Sequence, residues 1–187
     1  LGQHIGYLPQ DIELFDGTIS ENISRFGDLQ SGAVVKAAQM SGVHDMILQL
    51  PNGYDTVIGA KGGVLSGGQR QRIGLARAIY GDPVLVVLDE PNSNLDSLGE
   101  YALAETLAQL RKKGVTVVIV THRPKILEQV DKLLVMKEGK TQMYGPPDEV
   151  LPKLIATQPS GQPEQPAALP KSSAPKPVLP AHFKGGE

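Results

Sequence analysis

Three short stretches carry residue types that chemistry needs. The first is Leu65-Ser66-Gly67-Gly68-Gln69, followed by Arg70-Gln71-Arg72. Ser66 and Gln69 have capping-box spacing, and the two glycines between them leave backbone N–H groups bare at a helix start. A helix N-terminus with so little side-chain bulk is an anion site, and phosphate is the usual anion. The second stretch is Leu85-Val86-Val87-Leu88-Asp89-Glu90, two carboxylates at the C-terminal end of an apolar strand. Open α/β sheets bind ligands in the crevice outside strand carboxyl ends. Asp89 there suits Mg²⁺, directly or through water. Glu90, pointing the other way, suits polarisation of an attacking water. The third is Val117–Val120 running into Thr121-His122-Arg123, a neighbouring strand that brings a His to the same sheet edge. Each stretch also has a plainer reading on its own: a glycine turn capped into a helix, a solvated pair of acids, a structural histidine.

The elements around these stretches alternate. Gly6–Pro9 reads as a strand end, and Thr18-Ile19-Ser20-Glu21 repeats the capping-box spacing at the start of a short helix. Ser31–Gln49 reads as one helix with apolar Val34, Ala38, Val43 and Ile47, and Gly67–Tyr80 as another. Val84–Leu88 and Val115–Val120 are apolar runs of strand length, expected to be buried parallel strands. Between them Ser97–Lys113 reads as a helix with Leu103, Leu107 and Leu110 on one face, stopped by a basic last turn and Gly114. Leu133–Met136 and Thr141–Tyr144 flank a Lys-Glu-Gly-Lys turn and read as a hairpin. Strands alternating with helices imply an α/β fold with a mainly parallel sheet.

Composition narrows the classes. Over the 187 residues, 20 acidic and 18 basic side chains nearly cancel, which excludes a generally basic nucleic-acid binder. There is no Cys, so disulfides and thiolate metal sites are excluded. The four His lack the spacing of a zinc site, and no apolar run reaches the length of a membrane helix. The composition changes near residue 156. The body is expected to occupy residues 1–155, and Ala156–Glu187, with seven Pro in 32 residues, a Pro-rich disordered tail. Within that tail Pro177–Pro180 fits P-x-x-P, a pattern that Pro-rich tails also produce by chance.

Taken together, these residues resemble the nucleotide-binding domain of ATP-binding cassette (ABC) proteins. Ser66, Gly67, Gly68 and Gln69 match the LSGGQ signature, and Asp89-Glu90, 20 residues beyond Gln69, match the end of a Walker B strand. Ser93-Asn94-Leu95-Asp96 resembles the D-loop, His122 the switch histidine, and Tyr7-Leu8-Pro9-Gln10 the Q-loop. The motifs stand in the family's order over residues 1 to about 155. The resemblance implies a partial P-loop NTPase-like domain: a mainly parallel sheet flanked by helices, with a helical signature subdomain. Leu14–Ile19 with Glu21-Asn22-Ile23 resembles the segment after the Q-loop in exporters. Thr56–Gly62 sits where exporters carry the X-loop, departing from the acidic pattern at Val57 and Ala60. Glu90–Asp96, His44–Ile47 and Leu50–Asp55 look like type I secretion ATPase/permeases.

What this resemblance implies is specific. ATP and Mg²⁺ are the expected ligands, bound in a head-to-tail dimer of two such domains. Asp89 and Gln10 are expected at Mg²⁺, Glu90 at the attacking water, and His122 at the γ-phosphate. Ser66–Gln69 would face the nucleotide of the other subunit, and Asp96 would cross the dimer interface. The expected partners are a transmembrane domain of the same parent chain and, for type I secretion, a membrane-fusion protein and an outer-membrane channel. The expected place is the cytoplasmic face of the inner membrane. A soluble ABC ATPase, or a non-catalytic remnant completing a partner's site, are the alternatives. The 187 residues contain no G-x-x-x-x-G-K-[ST]; Gly139-Lys140-Thr141 has Leu134 where the first Gly belongs. The chain is therefore expected to be a C-terminal part of such a domain, and to be inactive alone.

Overall fold

The computed structural model describes residues 4–59 and 65–157. It divides into two compact units, Leu1–Val130 and Asp131–Glu187. The Pro-rich tail from residue 158, its Pro177–Pro180 motif, and Ala60–Gly62 of the X-loop stretch lie outside the described residues.

In the first unit, strands β1 (Ile5–Leu8), β4 (Leu85–Asp89) and β5 (Thr116–Val120) form a parallel sheet in the order β1-β4-β5. Leu8 pairs with Leu88, and Leu88 with Ile119, so the three C-terminal ends share one edge. Helices α4 (Gly67–Ile79) and α5 (Ser97–Lys112) cover the face carrying Gly6, Leu8, Val86 and Leu88. The contact is so close at Gly6 that a Cβ there would lie 1.9 Å from the Ala78 carbonyl oxygen. Leu8, Val86, Leu88 and Ile73 are fully buried in one cluster with Ile19, Ile23, Ala38 and Ile47. Each such Leu, Ile or Val side chain contributes on the order of 2 kcal/mol of hydrophobic stabilisation.

The expected burial of both apolar strands is half correct. Val86 and Leu88 are buried, but Tyr7, Val118 and Val120 are about half exposed and Val84 more so. Among the described residues of this unit no element covers that second face. Alternation along β5 shows it directly, with Thr116, Val118 and Val120 exposed and Val117 and Ile119 partly buried.

Of three short helices, α1 (Ile19–Ile23) and α2 (Ser31–Met40) pack beside α4, and α3 (His44–Leu48) packs against α2. The run Ser31–Gln49 is thus two helices rather than the one helix expected. Gly42 takes φ +67, and Val43 N–H donates to Ala38 O at 2.9 Å while Gly42 N–H donates to Gln39 O at 3.1 Å. This pair of bonds is a Schellman stop, which a helical periodicity count does not see. Strands β2 (Gly17–Thr18) and β3 (Val57–Ile58) pair antiparallel beneath α1. A single turn, α6 (Pro124–Leu127), follows β5.

The second unit contains the expected hairpin, β6 (Leu133–Lys137) against β7 (Lys140–Gly145), with a bulge between Val135 and Met136. Glu138 and Gly139 both have positive φ, the requirement of a two-residue hairpin turn. Helix α7 (Pro147–Thr157) was not anticipated, and its last two residues, Ala156 and Thr157, fall in the stretch expected to be disordered tail. Pro147 at its start and Asp148 and Glu149 in its first turn are the signals that mark it.

Candidate nucleotide site

The glycine-rich stretch forms the start that its spacing predicts. Ser66 is the extended N-cap of α4; its Oγ accepts from Gln69 N–H at 3.2 Å, and Gln69 Oε1 accepts from Ser66 N–H at 2.8 Å. The first-turn N–H groups of a helix have no intrahelical partners. Gly67 and Gly68 put no side chain over theirs, and no acidic residue lies in the first turn. A serine hydroxyl that accepts one bond keeps its proton to donate. The exposed Ser66 therefore presents a donor beside the bare helix end. The arrangement can receive an anion.

The ends of β4 and β5 come together as the sequence implies. Asp89 is the last residue of β4 and pairs across the sheet with Val120. Glu90 follows with φ +44; its N–H donates to Val120 O at 2.9 Å, and its carbonyl accepts from Ser93 N–H at 3.1 Å. Its carboxylate oxygen Oε1 lies 2.8 Å from His122 Nδ1. The Glu90 side chain is 16% exposed and that of His122 79%. A carboxylate only accepts, so Nδ1 supplies the proton of this bond and Nε2 is the ring nitrogen left for a ligand. Gln10 lies on the exposed loop after β1, at the same sheet edge.

Between these two features lies the segment 91–96. Asn94 sits against the start of α4: a Cβ on Gly68 would be 2.9 Å from Asn94 O, and one on Gly67 would be 3.6 Å from Asn94 Cβ. Asp96 caps α5, its Oδ1 accepting from Gly99 N–H at 2.8 Å. Asn92 is buried and accepts from Thr121 Oγ1 at 3.5 Å. No hydrogen bond joins Ser66–Gln69 to Glu90 or His122 among the described residues, so the two features are neighbours through segment 91–96 rather than one pocket. Among the described residues there is also no group of three or more metal-ligating side chains. Mg²⁺ does not demand one, since it keeps several waters and uses one or two carboxylates with phosphate oxygens. The carboxylate of Asp89 and the amide oxygen of Gln10 fit that donor set.

A family profile described as ABC transporter matches residues 1–93, which include the signature stretch and the Asp89-Glu90 pair. The type I secretion system ATP-binding protein PrsD of Rhizobium meliloti (strain 1021) is 57% identical over 159 residues, 84% of this chain and 27% of that protein. The chain belongs to the ABC transporter family. Other ABC relatives include the ATP-dependent lipid A-core flippase of Chromohalobacter salexigens, 42% identical over 81% of this chain and 26% of its own length. The structure of a bacterial Atm1-family ABC exporter with ATP bound superposes with a TM-score of 0.75 at 31% identity, over 81% of this chain and 27% of the other. The chain thus spans about a quarter of the length of these ABC relatives.

Two residues near the ABC motifs were not singled out by spacing alone. Gln71 is buried and donates from Nε2 to Pro91 O at 3.0 Å. Its position three, four and seven residues before Gly74, Leu75 and Ala78 places it on the buried stripe of α4, and that is the signal that marks it. Arg25, at φ +59, donates to the carbonyls of Arg77, Ala78 and Tyr80 at the C-terminal end of α4, and to Ile5 O. A guanidinium there satisfies orphan carbonyls and meets the negative end of the helix. Desolvation by burial lowers the Arg25 pKa below its ordinary value. Nearby, Arg77 stacks over the Phe15 ring at 5.6 Å, and Phe15 meets Phe26 edge-on.

Proposed function

We propose that this chain is the signature-bearing part of an ATPase that drives export across a membrane, in type I protein secretion. The observation that carries the reading is the Glu90–His122 pair, held at the ends of two adjacent strands beside a bare, capped helix start. The 57% identity to a type I secretion ATP-binding protein supports the choice of system.

In this reading Glu90 takes the proton of the attacking water and His122, held through Nδ1, turns Nε2 to the γ-phosphate. Ser66 Oγ and the Gly67, Gly68 and Gln69 N–H groups donate to the phosphate of an ATP whose other contacts come from a second subunit, head to tail. Asp89 and Gln10 would hold Mg²⁺, which would supply charge neutralisation at the phosphate oxygens. Gln10, on the loop after β1, passes the nucleotide state to a transmembrane domain, and Asp96 faces the dimer partner while capping α5. A membrane-fusion protein and an outer-membrane channel complete the export path from the cytoplasmic face of the inner membrane. The phosphate-cradling Gly-rich Lys loop is not among these 187 residues, so hydrolysis needs it from elsewhere.

The test uses the intact parent transporter. Glu90→Gln is expected to lower ATP turnover by about 10²- to 10⁴-fold while ATP binding persists. The 187-residue chain alone is expected to hydrolyse ATP negligibly. Normal turnover in the Glu90→Gln parent overturns the role of Glu90. Robust turnover by the chain alone, abolished by Glu90→Gln, overturns the need for a loop from elsewhere.

A further inference from the structure

Glu90 is held in a backbone conformation that L-residues avoid. Its φ of +44 lies in the left-handed region, where a side chain other than Asn, Asp or Gly is uncommon. Such a residue persists only where its surroundings over-determine it. Three bonds do so here. Glu90 N–H donates to Val120 O, Glu90 O accepts from Ser93 N–H, and the next carbonyl, Pro91 O, accepts from Gln71 Nε2 at 3.0 Å. The first two come from the backbone, and the third from a side chain on a different element. Pro91 has no N–H, so its carbonyl is the one backbone hydrogen-bonding group that this residue offers.

Gln71 is also an expensive way to fill its position. It is 1% exposed, and its Oε1 has no hydrogen-bond partner. Leaving a buried amide oxygen unsatisfied is destabilising, and an apolar side chain of similar size would avoid it. The neighbours on the buried stripe of α4, Ile73, Gly74, Leu75 and Ala78, are all apolar. What the glutamine offers that they do not is its N–H donor to Pro91.

We propose that Gln71 is a positioning residue: from the second turn of α4 it grips the carbonyl of Pro91, the residue after Glu90, and thereby aims the Glu90 carboxylate, which His122 holds from the other side. The same helix carries the bare start at Gly67 and Gly68, packed on Asn94. Helix start and carboxylate are therefore set by one rigid connection. This inference rests on the reading of Glu90 as the group that acts on water.

The experiment measures ATP turnover and ATP binding of the intact parent transporter carrying Gln71→Leu, Glu90→Gln, or both. Gln71→Leu is expected to lower kcat by up to about 100-fold, the effect of a small displacement of a catalytic group, with KM for ATP and ATP binding unchanged. Because Gln71 acts through Glu90, single-turnover hydrolysis by the double variant is expected to equal that of Glu90→Gln alone. A structural role would instead lower the double variant further. Gln71→Met, unbranched and similar in length, replaces Gln71→Leu if the latter does not accumulate. Unchanged kcat in Gln71→Leu, additive losses in the double variant, or failure of both replacements to fold each overturn the positioning role. Full turnover by Glu90→Gln is a different result, because it overturns the underlying role of Glu90.

Discussion

Two helices in this chain begin with the same device and use it to opposite ends. Helix α1 opens on Thr18-Ile19-Ser20-Glu21 and α4 on Ser66-Gly67-Gly68-Gln69, and both capping boxes are closed by reciprocal bonds. At α1 the third residue is a carboxylate, which accepts from Thr18 N–H at 2.7 Å and Thr18 Oγ1 at 3.0 Å. Its positions between are Ile19 and Ser20, both buried. At α4 the third residue is a neutral amide, and the positions between are glycines. A helix start carries partial positive charge. Glu21 answers that charge from within the chain, under a cover of side chains. Gln69 closes the same hydrogen bonds without answering it, so the field of α4 remains for an external anion. The two caps differ by one charge and two side chains.

Exchanging those charges tests the contrast. The largest effect is expected for Gln69→Glu in the intact transporter. The cap survives, and a carboxylate at a helix start is stabilising, so the thermal midpoint holds or rises. ATP turnover is expected to fall by about 100-fold, comparable to losing one donor of an anion hole. Unchanged turnover would mean that the α4 start does not meet phosphate. A smaller effect is expected for Thr18→Ala, about 1 kcal/mol of stability measured by denaturant titration, with ATP binding unaltered. A loss of ATP binding there would give α1 a role beyond structure. The smallest is a pH effect. The Thr18 backbone and side-chain hydrogen bonds pull the Glu21 pKa below its ordinary 4.5. The folded chain then binds that proton less readily than the unfolded chain. The associated stability is complete above about pH 4.5 and is lost as pH falls through the lowered value. Glu21→Gln, which gives α1 the polarity of α4, should differ from wild type in urea midpoint near neutral pH and converge with it in acid. A difference that persists at pH 3 would assign it to packing rather than charge.

Both caps are legible in the sequence because capping is local: four residues contain all of its chemistry. The same holds for the stop at Gly114 and for the Glu138-Gly139 turn. The strand-end placement of Asp89, Glu90 and His122 is legible too, since an apolar run ending in polar residues fixes where the strand stops. What spacing does not carry is tertiary. Val84–Leu88 and Val115–Val120 read as strands buried on both faces, whereas burial depends on what lies above each face. The left-handed turn at Arg25-Phe26 has no residue type that announces it, and the carbonyls that Arg25 meets are some 50 residues away. Gln71 stood within reach of a helical-wheel argument. Its partner Pro91 did not, being 20 residues on and on a different element.

Arg25 gives α4 a mechanical character. One end of the helix is clasped to segment 91–94 through Gln71 and the glycines, and the other is clasped by the guanidinium that gathers its last carbonyls. A 13-residue helix fixed at both ends is a strut about 20 Å long. Both ends of the strut are thus held rather than left to fray, and its far end lies by the Arg77–Phe15–Phe26 stack.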